Sequence, residues 1–522
     1  MKVCILTAGK GTRMGAYSKI INKSLLPIKN KAMISHIIEL FPINYEFVIG
    51  LGHLGHQVKN YLRAAHPKTK FQFVNIKNFE GASSGPGLSL LKCKKFLKES
   101  FFFLPSDCML TSDIKLRTDC NWIGVSKIPS YESDRYCNVL PTKNKVIDIR
   151  DKVKVGEDYF AFTGLLFVKN FHTFWKGLAK STLVKHEHQI SDGLNELMKN
   201  SELFTKLIKW FDIGDIQKYH EIQKKFNSSS ISKTNEFIYF TDKNVIKFFS
   251  DTEIISKRIL KTKYNPPIFP KTKKLGKNFY QYPYWNGSTF YAGGTPNSFK
   301  KLLKWLENKV WLRPKIFNTK IEKLCKIFYY EKTESRISLF LKENPDYKFP
   351  KFINGKITPP LDKLLQSIPW KELFHGIPCF IHGDLQFQNI LFNKRSKKFL
   401  LIDWRQDFAG NVKFGDLYYD LAKLYGGILM NYDHVIMDSY QYKHIGNKVT
   451  VSFNKWKNDS EYRKILDNYI SDNDFDKYKI KLLTGLIYLN MAALHHKPFN
   501  FALISYGASI IRDVLNEKKH AK

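Results

Sequence analysis

Two sets of residues in this sequence have the types and spacing for phosphate chemistry. In the segment HGDLQFQNIL (His382 to Leu391), Asp384 precedes Asn389 by five positions, and Asp403 of the triplet IDW follows Asn389 by fourteen. Phosphoryl transfer from a magnesium nucleotide needs one carboxylate to orient the attacking hydroxyl and accept its proton, and further oxygen atoms to hold the metal. Asp384, Asn389 and Asp403 supply those groups. The second set begins with the loop LTAGKGTRMG (Leu6 to Gly15), which leaves the strand-like run KVCIL. Its glycines let backbone N–H groups approach a phosphate, and Arg13 adds a fixed cation with paired donors. The loop lacks the G-K-[ST] ending of a P-loop, and Met14 stands at the last glycine position of G-x-G-x-x-G.

The elements that must position the first set are a hairpin and the loop before it. NILFN and FLLIDW are strand-like and flank KRSKK, with Asn389 and Asp403 equally far from Ser396. A hairpin symmetric about Ser396 sets Asn389 opposite Asp403, so that an amide oxygen and a carboxylate reach one metal. These motifs resemble the aminoglycoside phosphotransferase and choline kinase family over about residues 235 to 510. The resemblance implies that Asp384 is the catalytic base, that Asn389 and Asp403 hold magnesium, and that His382 braces the loop. It matches Lys247, in NVIKFF, to the lysine that grips nucleotide phosphates, with a plain surface lysine as the alternative. Its acidic partner stays open, because Glu253 is only six residues away. Asp416 and Asp420 in GDLYYDLAKLYGG are expected to cap or brace the following helix.

For the second set, strand-like runs alternate with amphipathic runs through the first 110 residues, which argues for a parallel sheet with crossover helices. NKSLLPIKNKAMI (Asn22 to Ile34), LPSD ending at Asp107, and WFDIGD (Trp210 to Asp215) follow in order. With the loop, they resemble the nucleotidyltransferases that make nucleotide-activated sugars and CDP-choline, over about residues 1 to 225. The resemblance implies that Gly9, Gly11 and Arg13 hold a triphosphate, that Lys23 bridges it to the incoming phosphate, and that Asp107 and Asp212 bind magnesium. Asn22 departs from the family's proline. In EGASSGPGLSL (Glu80 to Leu90), Gly85 and Gly87 are the candidates for close backbone approach to the nucleotide. The alternative for Asp212 is a helix cap, and His53 and His56 read as loop or cap histidines.

At 522 residues the chain suits an α/β multidomain architecture. We expect a Rossmann-like nucleotidyltransferase domain over residues 1–226 and a linker over 227–234. A two-lobed, protein-kinase-like α+β domain is expected over 235–522, with its small lobe at about 235–290 and its helical lobe at about 291–522. The small lobe should open with a hairpin, EFIYFTDKNVIKFF, around Thr241 to Asn244. Seven scattered cysteines without a C-x-x-C pair suggest neither disulfides nor a zinc site. The net charge of +37 is spread along the chain, so a solvated basic surface that attracts phosphorylated substrates is favoured over a nucleic-acid partner. No apolar run is long enough for membrane insertion, and no signal peptide is evident, so a cytoplasmic location is expected.

Taken together, ATP would phosphorylate a small alcohol or sugar, and a second NTP would convert the resulting phosphate to an NDP-activated precursor for surface glycan or lipid synthesis, with Mg2+ at both sites. Choline with CTP leads this reading because the C-terminal half is rich in tryptophan and tyrosine. The alternatives are a sugar with UTP or GTP, one inactive half serving as a binding module, and a basic nucleic-acid-binding protein. A homo-oligomer is possible.

Overall fold

The computed structural model describes residues 1–81, 84–110, 114–180, 183–184, 187–226, 235–314, 318–437 and 439–520. The expected linker at 227–234 lies outside the described residues. The chain divides into two compact units, residues 1–252 with 274–282, and residues 253–273 with 283–522.

The first unit is built on a nine-stranded sheet. Its parallel part runs Lys70–Asn75, Glu46–Leu51, Lys2–Leu6, Phe101–Pro105, joined through the helices Met33–Ile38, Gly55–Ala65 and Pro86–Cys93. Parallel neighbours require such crossovers, which is why the apolar period of this region switches between two and nearly four. Alternation along Lys2–Leu6 sends Val3 and Ile5 to one apolar cluster and Cys4 and Leu6 to another, so both faces of the sheet are covered. Beyond Phe101–Pro105 the sheet continues with the antiparallel strand Phe160–Val168. The glycine loop and Asp107 emerge from the carboxyl ends of adjacent strands, Lys2–Leu6 and Phe101–Pro105. Ligands of open α/β sheets bind at such ends.

The expected hairpin forms between Glu236–Phe240 and Asn244–Phe249, closed by Thr241 N–H donating to the Asn244 carbonyl at 2.9 Å. It belongs to a four-stranded sheet with Phe279–Pro283 and Lys273–Leu275. Phe237, Tyr239, Ile246, Phe248 and Phe279 pack into the same apolar cluster as Val3 and Ile5. The Tyr239 hydroxyl donates to the Leu25 carbonyl at 2.8 Å, and Phe240 N–H donates to the Asn30 carbonyl at 2.8 Å. The sheet expected in the small lobe of the second domain thus shares the core of the first unit, and the division of the structure falls at Thr252.

The second unit is mainly helical. Helix Leu417–Leu429 is buried along most of its length. Lys477–Ala492 packs against Phe499–His520 so closely that a side chain at Gly485 would meet the Gly507 carbonyl, and one at Gly507 the Gly485 carbonyl. The hairpin Ile390–Asn393 with Lys398–Leu401 lies in this unit, edged by Ser288–Thr289. No helix among the described residues is long and apolar enough to cross a membrane.

Candidate active sites

In the first unit, Gly11 adopts φ +65, in the left-handed region open to glycine, and heads the short turn Thr12–Met14. A Cβ at Gly11 would press on the Lys23 side chain at 3.3 Å, so the glycine makes room for that lysine. Gly9 has no neighbour within 4 Å of a Cβ position and leaves its backbone open to a ligand. Asn22 is fully buried. Its amide nitrogen donates to the carbonyls of Thr7 at 2.9 Å and His53 at 2.7 Å, and its oxygen accepts from Ser24 N–H at 3.0 Å. Lys23 is thereby held against the glycine loop.

Lys23 Nζ donates to Asp107 Oδ2 at 2.6 Å. Burial alone would raise the Asp107 pKa, but Lys23, and at longer range Arg13, hold it below its ordinary value. Asp212 comes to Asp107 through a short antiparallel ladder, Cys108–Leu110 with Trp210–Asp212. Asp212 stands opposite Cys108, and Ile213 N–H donates to the Asp107 carbonyl at 2.8 Å. Asp212 accepts from Lys218 Nζ at 2.9 Å and from the Tyr136 hydroxyl at 2.8 Å. Arg13 is exposed and reaches the same place, since a side chain at Gly214 would lie 3.0 Å from Asp212 Oδ1 and 3.5 Å from Arg13 Nη2. The cap of helix Ile216–Lys225 is Asp215, which accepts from Lys218 N–H at 3.0 Å, so Asp212 has no capping role. Two carboxylates on neighbouring ladder positions fit Mg2+, which takes a few hard oxygen ligands and fills its octahedron from substrate and water.

Gly85 and Gly87 both lie close to their own chain. A Cβ at Gly85 would strike the backbone of His188, and one at Gly87 the Gln189 carbonyl, so their small size serves close packing against the chain itself. Ala82 and Ser83 of the same segment lie outside the described residues. His53 is a loop histidine whose Nε2 meets the Ser18 carbonyl at 2.7 Å, and His56 is an exposed helix residue. Lys247 is buried at 2% exposure and pairs with Glu236 at 3.7 Å across the hairpin, which removes the plain surface reading. Glu253 pairs with Lys257 one helical turn on, at 2.7 Å.

In the second unit the segment around Asp384 is fixed by buried polar groups. Asp420, fully buried on helix Leu417–Leu429, accepts at 2.8 Å from both His382 N–H and Gly383 N–H, and at 3.2 Å from Trp311 Nε1–H. Burial drives the Asp420 pKa up to about 6. His382 Nε2 meets the Ile402 carbonyl at 2.9 Å, so it carries the proton, and Nδ1 accepts from Asp384 N–H at 3.2 Å. Burial lowers the His382 pKa to about 4, and the ring is a neutral brace with one tautomer set by its partners. Asp416 caps the same helix and accepts from Ile377 N–H at 2.8 Å and the Tyr329 hydroxyl at 2.8 Å, which bears out its structural reading.

Asn389 Nδ2 donates to the Asp384 carbonyl at 2.9 Å and to its carboxylate at 3.1 Å, so the amide oxygen is the atom left for a metal. The hairpin forms, but one register step from the expected symmetry. Ile390 pairs with Leu401 and Asn393 with Lys398, and Ile402 N–H donates to the Asn389 carbonyl at 2.9 Å. The connection is the four residues 394–397, closed by Ser396 N–H donating to Asn393 Oδ1 at 2.8 Å, with Lys397 at φ +56. Asn389 therefore faces Ile402. Asp403 follows at φ +56, a conformation costly for a non-glycine residue and found at functional turns, and its Oδ1 lies 3.3 Å from Arg258 Nη1. Asn389 and Asp403 remain on neighbouring positions, an amide and a carboxylate oxygen that suit the same hard cation.

Lys423 was not among the residues read from sequence. Its Nζ lies 2.8 Å from Asp384 Oδ1. Burial opposes its charge, and Asp384 more than restores it, so its pKa stands above the ordinary lysine value. Asp416, Asp420 and Lys423 fall at i, i+4 and i+7 of one helix, a signal of one shared face that the sequence does contain.

Residues 356–441 match the profile of APH, the phosphotransferase enzyme family. The N-terminal region matches "Bifunctional protein GlmU" of Methanococcus vannielii, 27% identical over 224 residues, 41% of this chain and 52% of that protein. The chain joins a nucleotidyltransferase-like region to a phosphotransferase-family domain. A second relative of the nucleotidyltransferase-like region, "UTP--glucose-1-phosphate uridylyltransferase" of Mycoplasma pneumoniae, is 25% identical over 252 residues, 39% of this chain and 83% of that protein. The chain spans about half the length of the GlmU proteins it matches. Among solved structures, UDP-glucose pyrophosphorylase complexed with UDP-glucose aligns with a TM-score of 0.39 at 18% identity, covering 44% of this chain and 99% of that one.

Proposed function

We propose that the chain activates a small hydroxylated compound in two steps. In the first, the hydroxyl oxygen attacks the γ-phosphorus of ATP while its proton passes to Asp384; the bond from that phosphorus to the bridging oxygen breaks and ADP leaves. Asn389 donates to the Asp384 carboxylate and keeps it oriented, and Lys423 is paired with it at 2.8 Å. In the second, an oxygen of the new phosphate monoester attacks the α-phosphorus of an NTP and pyrophosphate leaves. Lys23 and Arg13 stand where the charge of the phosphates gathers. Asp107 with Asp212, and Asn389 with Asp403, would hold Mg2+, which neutralises charge on the phosphate oxygens in both reactions. The observation that carries the proposal is the Asp384 segment itself, a carboxylate on a loop held by Asp420, His382, Asn389 and Lys423.

A small, partly open hollow beside this segment is lined by residues including Gln386, Lys423, Met430, Tyr432, Tyr488 and Met491. The lysine there disfavours the quaternary ammonium group of choline. The name of the Mycoplasma relative carries UTP and glucose 1-phosphate. We therefore place a sugar with UTP ahead of choline with CTP. The test is a crossed pair of variants in the full chain, assayed by mass spectrometry with ATP, each NTP and a set of alcohols and sugars. Asp384→Asn is expected to lower the first step by about 10²–10⁴-fold and leave a supplied phosphate monoester usable. Asp107→Asn is expected to do the reverse. Full conversion by either variant would overturn the assignment of that half, and the preferred NTP decides between UTP and CTP.

A further inference from the structure

Next to Asp384 the second unit gathers more positive charge than it balances. Helix Lys332–Glu343 continues directly from a π-helical stretch, Lys326–Glu331, a rare helix form that is frequent at functional sites. Phe328 of that stretch is a platform. Lys332 Nζ lies 3.9 Å from its ring centroid and the Arg405 guanidinium carbon 4.8 Å. Lys332 Nζ is also 5.7 Å from the Tyr419 ring. Arg336 stands one turn beyond Lys332 on the same helix face. Arg405 packs against the loop of the catalytic aspartate: its N–H donates to the His382 carbonyl at 3.0 Å, and a Cβ at Gly383 would meet its side chain at 2.7 Å.

Lys332, Arg336 and Arg405 have no carboxylate within ion-pair distance among the described residues, and Arg405 Nε is buried without a hydrogen-bond partner. Asp384, the carboxylate whose charge acts on Lys332, is itself paired with Lys423 at 2.8 Å. Burial and the charges of Arg405, Lys423 and Arg336 push the Lys332 pKa well below the ordinary lysine range, and burial and Arg405 lower that of Arg336. Buried charges are normally paired, and like charges brought together without a counter-ion cost stability. A fold that keeps three half-buried cations beside a catalytic loop has a place for an anion.

We infer that Lys332, Arg336 and Arg405 form a recognition site for an anionic group, a carboxylate or a phosphate, on the hydroxylated substrate whose hydroxyl meets Asp384. This rests on the reading of the second unit as a kinase and narrows its substrate to a hydroxy acid, a sugar acid or an already phosphorylated alcohol or sugar. Arginine presents paired donors that match either group, and Phe328 holds Lys332 and Arg405 ready without neutralising them. The phosphoryl transfer is as described above; the anion only sets which molecule is positioned for it.

The full chain, with Mg2+ and ATP, is offered matched alcohols: glycerol and glucose, choline, glycerate and glucuronate, and glycerol 3-phosphate and glucose 6-phosphate. An anionic member is expected to exceed its neutral parent in kcat/KM by about ten- to a hundredfold, the range of a charge-assisted hydrogen bond or two. The carboxylate and phosphate arms decide which anion is read. Arg336→Gln, and Lys332→Gln with it, should raise KM for that substrate by a similar factor, change kcat less, and leave KM for ATP in place. Preference for choline or a neutral parent overturns the inference. So does a rise in KM for ATP alone, which would make the cluster part of the nucleotide site. If no alcohol of any class is phosphorylated, the kinase reading fails by itself. The anion site is then judged by inorganic sulfate, which must raise the unfolding temperature of the wild-type chain more than that of the Lys332→Gln, Arg336→Gln variant; equal shifts overturn it.

Discussion

The two units hold their reactive carboxylates by opposite means. Asp107 and Asp212 sit among partly exposed lysines, Lys23 and Lys218, at 2.6 and 2.9 Å. Under the proposed function those ion pairs would be exchangeable, because a nucleotide with its metal would offer phosphate to each lysine and a cation to each carboxylate. Asp384 also has its lysine, but the loop beneath it is pinned by groups that touch no water: Asp420 and His382 are fully buried. In one region electrostatics prepare for a ligand; in the other they are part of the architecture. Substitutions around Asp384 should therefore register as lost stability, and those around Asp107 as lost activity.

The largest effect that would break this contrast is at Asp420. Asp420→Ala leaves the N–H groups of His382 and Gly383 and the Trp311 indole without an acceptor, and removes a buried charge that offsets Lys261. Breaking a buried charged network typically costs about 3–5 kcal/mol. Denaturant unfolding followed on the second unit should show a loss of that size, while nucleotidyl transfer by the first unit persists. A loss under about 1 kcal/mol, the scale of a surface ion pair, would mean that the loop is not held from beneath.

A smaller effect sharpens the contrast through pH. The His382 pKa is lowered to about 4 by burial, against an ordinary value of 6.5. A depressed pKa means that the folded state binds the proton less readily than the unfolded chain. The contribution is present above pH 6.5 and is lost as pH falls towards 4. The shift corresponds to on the order of 3 kcal/mol. Asp420, raised to about 6, works against this: its protonation favours the folded state as pH falls from about 6 towards its ordinary value of 3.8. The sum in the wild type is blunted, so the measurement is the difference from His382→Gln, which lacks the titrating ring. The stability advantage of wild type over His382→Gln should shrink between pH 7 and pH 4, and a constant gap would show that His382 is not buried neutral.

What the sequence discloses differs between local and distant relations. Asp384, His382 and Asn389 lie within one short segment, and their mutual geometry follows from a single loop, so motif and structure agree. The pairing of Asn389 with Asp403 depends on the parity of a turn. KRSKK permits a centre on Ser396, but Asn393 bonds to Ser396 N–H and closes a four-residue connection, which shifts the register by one. The alternation that foretold the parallel sheet is likewise local. One partner of Asp212 is not: Tyr136 lies 76 residues away, and its contact is made only when the sheet is assembled. The same holds for Tyr239 and Leu25, 214 residues apart, through which the expected small-lobe sheet joins the core of the first unit. Gly85 and Gly87 show the converse, since a glycine that permits close approach does not say what approaches.

The smallest effect tests the other side of the contrast, at Asn22. Asn22→Ala removes two donors to the carbonyls of Thr7 and His53 and the acceptor for Ser24 N–H, all beneath the residue before Lys23. Stability should fall by about 1–3 kcal/mol, the range for a buried polar group left unpaired. The sharper expectation is functional. If Asn22 sets the position of Lys23 against the glycine loop, nucleotidyl transfer should drop by about tenfold, a displacement worth roughly 1.4 kcal/mol at the transition state. ATP-dependent phosphorylation should not change. Asn22→Pro keeps an extended backbone at that position but not the side-chain hydrogen bonds. Recovery of nucleotidyl transfer without recovery of stability would show that what Lys23 needs is the extended backbone at position 22, where φ is −64 and ψ 134. Values of φ near −65 are those a proline ring imposes, so the asparagine and the proline can reach one backbone geometry by different means.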